Sequence, residues 1–252
     1  MWRTTRTPEG PVTFRAEVVE RAVVQAWGPG AEYALEHIGT WLGFDDDPDA
    51  LEPKDDVVAR AKRRHPGLRL GRGRPIFEVL VPIIIGQRVT TAEASDSWRH
   101  LVFSHGEQAP GPCRLFVPPP VEAFKRISLP GYHRFGIEGS RAKVILEACH
   151  HARFVEAVTT LPPNEAVRQL RKLPGIGPWT ADCYLLFALR RCDRFPAGDL
   201  ALQEGYRILY QLNSRPDAAQ LAQWASRWQP HRAAAARLLW RYYNGERKNL
   251  AS

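Results

Sequence analysis

The sequence predicts a mainly α protein with a small α/β subdomain at its N-terminus. Runs rich in β-branched residues, bounded by turn residues, precede Gly28. From Ala31 onward, apolar residues recur at helical spacing. The acidic run Phe44-Asp45-Asp46-Asp47-Pro48-Asp49 separates the two regimes.

Pro11–Val19 and Ala22–Trp27 read as strands, the second closed by Gly28-Pro29-Gly30. Ala31–Leu42 reads as a helix, with Leu35, Ile38 and Leu42 near helical spacing. A β-β-α unit of this size buries little surface alone. Residues 1–50 are therefore expected as a subdomain packed on an all-α region, 51–252. In that region Asp55–His65 is a helix stopped by Pro66-Gly67. Gly71-Arg72-Gly73-Arg74-Pro75 is a basic loop, and Pro75–Ile85 is a helix apolar on all sides, as buried helices are. Gly86-Gln87-Arg88 leads into a helix over Thr91–Phe103, and Pro110–Pro120 is a proline-rich connection. Val121–Ile127, Gly139–His151 and Phe154–Thr160 are short helices. Asn164 is placed to cap Glu165–Lys172, and Pro178 to open Pro178–Arg190. Leu200–Tyr210, Asp217–Trp228 and Arg232–Tyr243 complete the set.

The 252 residues are 44% hydrophobic, enough for a real core, and carry a formal charge of +8. An arginine-rich excess of positive charge points to a polyanion, although basic proteins without such a partner are common. No apolar run approaches the ~20 residues that span a bilayer. The N-terminal residues show no signal-peptide stretch, so a cytoplasmic protein is expected; a monomer is expected as well. Cys113, Cys149, Cys183 and Cys192 are widely spaced, without a C-x-x-C pair. That spacing argues against zinc and iron–sulfur sites and for ordinary thiols, with Cys183 and Cys192 filling core gaps. The acidic run reads as a solvated loop, since nothing nearby completes a metal shell.

The most informative string is Leu173-Pro174-Gly175-Ile176-Gly177-Pro178-Trp179. Two glycines one residue apart allow a sharp turn and a close approach of backbone to a ligand. Pro178 presets the first helical φ. Backbone N–H groups of the turn and of the helix start then form an anion site suited to a phosphate, with Arg171 and Lys172 alongside. A glycine-capped turn between two helices is the plainer reading.

The longer string, with its trailing Pro-Trp-Thr-Ala-Asp, resembles the helix-hairpin-helix of the HhH-GPD superfamily of DNA glycosylases. That family carries an essential aspartate in a loop before the next helix. The matching loop here is Phe195-Pro196-Ala197-Gly198-Asp199-Leu200-Ala201-Leu202-Gln203, with Asp199 twenty residues after Trp179. By residue type alone Asp199 is equally a helix N-cap. Gly10-Pro11-Val12, Trp27-Gly28-Pro29-Gly30-Ala31-Glu32, Ile85-Gly86-Gln87-Arg88-Val89 and Arg227-Trp228-Gln229-Pro230-His231-Arg232 through Trp240 extend the likeness over most of the chain. They are similar to the 3-methyladenine DNA glycosylase II branch.

The resemblance implies a helix-hairpin-helix glycosylase fold whose hairpin, 173–178, lines a DNA-binding cleft. It implies a monofunctional base-excision enzyme that hydrolyses the N-glycosidic bond of extruded alkylated purines in double-stranded DNA, such as 3-methyladenine, and leaves an abasic site. A cytoplasmic protein follows, nucleoid-associated where the source is a bacterium. Asp199 matches the catalytic position, where charge supports an oxocarbenium-like transition state. Relatives that also cut the strand carry a lysine directly before Thr-Ala, and this chain has Trp179 there. Trp179 and Trp240 match aromatic base-pocket positions, while each is also readable as a core tryptophan. Cys183 and Leu200 join the pocket but depart from the branch, which tends to have tyrosines there. Arg88 matches the wedge that fills the gap left by the extruded nucleotide. It too departs, since close relatives often have an apolar residue, and a surface arginine on a phosphate is the alternative. Gln87, Arg88, Gly175, Ile176, Gly177 and Thr180 are the expected DNA contacts. The carbonyls of Arg171, Leu173 and Ile176 match a site for Na⁺ or K⁺; no other cofactor is expected. A glycosylase for other damaged or mispaired bases, and a non-catalytic DNA-binding protein, remain open. His133, His150 and His151 fall in no motif.

Overall fold

The structure, a computed structural model, describes residues 1–18, 22–73, 75–190 and 193–250. Val19, Arg74 and Cys192, assigned above to a strand, a basic loop and a core gap, lie outside the described residues. The elements are β1 (Trp2–Thr7), β2 (Gly10–Val18), β3 (Ala22–Trp27), α1 (Ala31–Leu42), α2 (Asp56–Arg64), α3 (Ile76–Ile85) and α4 (Thr91–His105). They continue as β4 (Glu107–Gln108), β5 (Phe116–Val117), α5 (Val121–Arg126), α6 (Leu129–His133), α7 (Gly139–His150), α8 (Ala152–Val158) and α9 (Pro163–Leu170). The chain ends with α10 (Pro178–Leu189), α11 (Leu200–Leu209), α12 (Ala218–Ala225) and α13 (Arg232–Leu250). The mainly α architecture with a small N-terminal α/β part is the one expected.

The chain forms two compact units, Met1–Trp41 with Gly73–Ile176, and Leu42–Arg72 with Gly177–Ser252. These units do not follow the linear boundary expected after residue 50. The sheet and most of α1 group with the helices from α3 to α9, and α2 groups with the C-terminal helices.

In the first unit the sheet is antiparallel, in the order β1-β2-β3. Its β1 strand was not expected, because Trp2-Arg3-Thr4-Thr5-Arg6-Thr7 is largely polar. The polar residues have partners: Thr5 Oγ1 and Arg6 N–H both donate to the carboxylate of Glu78 on the otherwise apolar α3, at 2.8–2.9 Å. Val12, Phe14 and Ala16 alternate along β2 and are buried, with the Phe14 and Trp41 rings 5.9 Å apart. The α3 helix is buried nearly all round, as its composition predicts. Thr90 caps α4 in a reciprocal box with Glu93. Leu129–His133, assigned no element from the sequence, form α6 because Ser128 caps the turn by accepting from Gly131 N–H. The start of α9 also differs: Pro162 takes the N-cap position and Pro163 the first turn, so Asn164 lies inside the helix.

In the second unit Val57, Val58 and Ala61 of α2 pack with Leu202 of α11, Leu221 and Trp224 of α12, and Leu238 and Leu239 of α13. Asp55 caps α2 through Val58 N–H and accepts the Tyr210 hydroxyl at 2.7 Å. Among the described residues, no helix is long and apolar enough to cross a membrane.

Candidate active site

The loop before α11 is folded tightly by its own backbone. Ala197 N–H donates to the Phe195 carbonyl and Asp199 N–H to the Pro196 carbonyl, both at 2.8 Å. Gln203, buried one turn into α11, donates Nε2 to the Ala197 carbonyl at 2.9 Å. Asp199 is the N-cap of α11, its Oδ1 accepting from Leu202 N–H at 2.8 Å. The N-cap reading of Asp199 is therefore correct, but it leaves most of the carboxylate unexplained. Oδ1 also accepts the indole N–H of Trp240 at 3.0 Å, and Oδ2 that of Trp179 at 2.9 Å. Three donors from α10, α11 and α13 fix one half-buried carboxylate.

Trp179 and Trp240 are half-buried. Trp240 stacks on Phe187 with ring centroids 5.7 Å apart and planes 20° apart. The Arg237 guanidinium sits over the other ring of that pair, Phe187, at 5.2 Å. Phe187 and Gln203 were not singled out by sequence; both are ordinary helix residues until the fold shows what they support. Cys183, one turn after Trp179, is buried. Its thiol is pushed well above the ordinary range by burial, and then by the charges of Asp199 and Asp182. It is a neutral, inert wall close to the carboxylate. Leu200, next to Asp199, leaves 59% of its surface exposed, an apolar side chain at the mouth of the site. A cavity of about 470 Å³ lies against Trp179, bordered by Asp182, Arg194, Ala197 and Gly198; Asp199 and Trp240 do not line it.

In the first unit, Gln87 and Gly175 meet directly. Gln87 Nε2 donates to the Gly175 carbonyl at 3.0 Å. Both are braced on α7: Arg141 donates to the Ile85 carbonyl at 2.7 Å, just before Gln87, and Val144 packs under Gly175. Gly175 has φ +82°, and a Cβ there would lie 2.1 Å from Val144 Cγ2. Arg88 follows at φ 59°, a left-handed conformation that ordinary side chains avoid, with its side chain exposed. Ile176 and Leu173 anchor the hairpin by burial. Gly177 is the N-cap of α10, and a Cβ there would meet nothing within 4 Å. Thr180 is 2% exposed, so its side chain is no surface group. Ile176 N–H donates to the Leu173 carbonyl at 3.1 Å, which leaves that oxygen a second lone pair. His133 ends α6, exposed.

No family model matches the chain. A DNA-3-methyladenine glycosylase of Bacillus subtilis is 24% identical over 221 residues, 83% of this chain and 72% of its own length. The DNA-3-methyladenine glycosylase 2 of Escherichia coli is 29% identical over 195 residues, 73% of this chain and 64% of its own. The chain thus spans less than two thirds of the Escherichia coli relative, and 62% of a further Bacillus subtilis relative. A solved 3-methyladenine DNA-glycosylase from Archaeoglobus fulgidus superposes with a TM-score of 0.84 at 22% identity, covering 96% of this chain and 86% of its own.

Proposed function

We propose that this chain, a member of the helix-hairpin-helix glycosylase superfamily and a relative of DNA-3-methyladenine glycosylases, is a monofunctional DNA glycosylase that removes alkylated purines from double-stranded DNA. The observation that carries the proposal is Asp199, held on both oxygens by the indoles of Trp179 and Trp240. As the glycosidic bond breaks, positive charge builds on the sugar. A fixed carboxylate beside it stabilises that charge without having to reorganise, and can orient the attacking water. Water adds to the sugar carbon, its proton is lost, and the base leaves with the bonding electron pair.

Trp240 has its N–H edge on Asp199 and one face against Phe187. A base laid on the opposite face would bring its glycosidic bond toward the carboxylate. An electron-rich face favours a cationic alkylated purine by about 0.5–2 kcal/mol. Such a base is already a good leaving group, so the modest walls offered by Cys183 and Leu200 suffice. At the position where a strand-cutting enzyme needs an amine, Trp179 supplies an indole committed to Asp199. The product is therefore an abasic site in an uncut strand.

Arg88 fills the gap left by the extruded nucleotide, with Gln87 tying that loop to the hairpin. Backbone N–H groups of Gly175, Ile176 and Gly177 take a DNA phosphate. Thr180 contributes to that contact through its backbone, not its buried hydroxyl. A Na⁺ or K⁺ ion fits the carbonyls of Arg171, Leu173 and Ile176 and would add positive charge beside the phosphate. The enzyme would act as a monomer on nucleoid DNA in a bacterial cytoplasm.

Mass spectrometry of bases released from methylated DNA tests the reading. Release of methylated purines by wild type, without strand scission and abolished in Asp199→Asn, supports it. Release of deaminated or mispaired bases alone would give the site to another excision class. Binding without release of any base would leave a DNA-binding protein.

A further inference from the structure

Arg141, in the first turn of α7, is only 6% exposed. A guanidinium placed there is costly unless its inward donors are met. Backbone carbonyls meet them: one Nη donates to Ile85 at 2.7 Å and the other to Gly136 at 3.3 Å. Ile85 is the last residue of α3 and is fully buried, so its carbonyl is one of those that a helix end leaves without an intrahelical partner. The cation satisfies that oxygen and opposes the negative end of the α3 dipole.

The Gly86-Gln87-Arg88 turn begins at that carbonyl. Its far end is the capping box of α4, where the Glu93 carboxylate accepts from Thr90 N–H and Oγ1. Those hydrogen bonds, and then the charge of Arg141, hold the Glu93 carboxyl below the usual carboxylate range. Arg141 thus acts on both ends of the turn that carries Arg88. Val144 follows on the same face of α7 and packs under Gly175. Gln87 closes the third side by donating to the Gly175 carbonyl. A side chain inserted into a duplex pushes against a stack that is costly to open. A turn free to recoil would yield in place of the stack, whereas one braced on the element that grips the phosphate would not.

We propose that Arg141 is a positioning residue for extrusion of the nucleotide: it locks the Arg88 turn to the hairpin at Gly175, so that insertion into the stack and grip on the phosphate are made by one rigid piece. The inference rests on the reading of the protein as a DNA glycosylase with Arg88 as its wedge.

The test is single-turnover release of methylated purines from duplex and from single-stranded DNA. The proteins are wild type, Arg141→Gln, Arg141→Lys, Arg88→Ala and the double variant of Arg88→Ala with Arg141→Gln. Arg141→Gln should lose about 10- to 100-fold on the duplex, the scale for a small misplacement of a working group, and stay near wild type on single strands. Arg141→Lys keeps the cation without the fork and should lose less; it carries the comparison if Arg141→Gln does not fold. In the Arg88→Ala background, adding Arg141→Gln should cost nothing further, because the side chain it positions is gone. An arginine that only stabilises the fold would cost the same on both substrates and in both backgrounds. Either of those results, or no loss on the duplex, would overturn the inference and leave the glycosylase reading intact. A wild type that releases no methylated base from either substrate would overturn both.

Discussion

The indole of Trp179 donates to Oδ2 of Asp199 at 2.9 Å, and it does so from the first turn of α10, directly after the hairpin. In the proposed reaction this side chain supplies no amine, and its indole fixes the carboxylate instead. Trp240 completes the arrangement on Oδ1 at 3.0 Å. In the proposed reaction the same two side chains stack the base by the face of the ring and orient the carboxylate by its edge.

Asp199→Asn should bind damaged duplex nearly as wild type does while losing about 10²–10³ in single-turnover base release, the scale for removing one preorganised charge-stabilising group. An amide cannot accept on both sides: its NH₂ would face either the Trp179 N–H or the donors at Oδ1. A variant that still released alkylated bases at the wild-type rate would remove Asp199 from the mechanism.

Trp179→Phe and Trp240→Phe keep a ring and delete one N–H each. A hydrogen bond to a charged group is worth about 1.5–3 kcal/mol, so each should slow base release roughly 10- to 100-fold. If orientation of the carboxylate is what matters, the double variant should lose less than the product of the two, because the carboxylate is already loose after the first. Losses that simply multiply would mean the two tryptophans act separately, as stacking plates alone would.

The two hairpin glycines should separate. Gly175→Ala forces a side chain into φ +82° and against Val144, so it should lower the melting temperature by an amount equivalent to at least about 1 kcal/mol. Val144→Ala should recover part of that loss. Gly177→Ala has open space and φ −85°, so stability should stay within about 0.5 kcal/mol while duplex binding weakens. Equal loss of stability in both would contradict the distinction.

The helices were legible because their signals are local: apolar spacing, Pro178 at a first turn and Asp199 as a cap. What escaped was whatever a distant partner decides. The β1 strand is polar and exists because Glu78 supplies it with a carboxylate and β2 with a register. The roles proposed for Asp199 and Trp179 come from the motif, but their hydrogen bond does not, since nothing in the sequence says which edge of an indole faces which oxygen. Phe187 behind Trp240, and Arg141 behind the Gln87 turn, act through neighbours far away in sequence and leave no local signal.

Asp45 supplies a pH test of the second unit. Burial raises its pKa, but hydrogen bonds and charge from Arg72 and Arg190 outweigh that and hold the carboxyl below its ordinary value of 3.8. On acidification the unfolded chain takes up this proton first. The contribution is therefore complete above pH 3.8 and fades as the pH falls through the folded value. Asp45→Asn should be less stable than wild type to urea at neutral pH, and the gap should narrow as the pH falls below 3.8. A gap of constant size would assign the loss to packing rather than charge.

Arg88 is held at φ 59° with its side chain in solvent, a conformation that costs about 1–2 kcal/mol and that glycine would adopt freely. The packing around it does not account for the strain, whereas the wedge role proposed above would use a side chain held out from the fold. Arg88→Ala keeps the strain and removes the guanidinium; Arg88→Gly removes both. Arg88→Gly should therefore be about 1 kcal/mol more stable than Arg88→Ala, yet both should release bases from duplex DNA more slowly than wild type. The deficit should shrink on single-stranded substrate, where no stack has to be opened and no gap filled. Equal deficits on single and double strands would remove Arg88 from the role of wedge and return it to a surface contact.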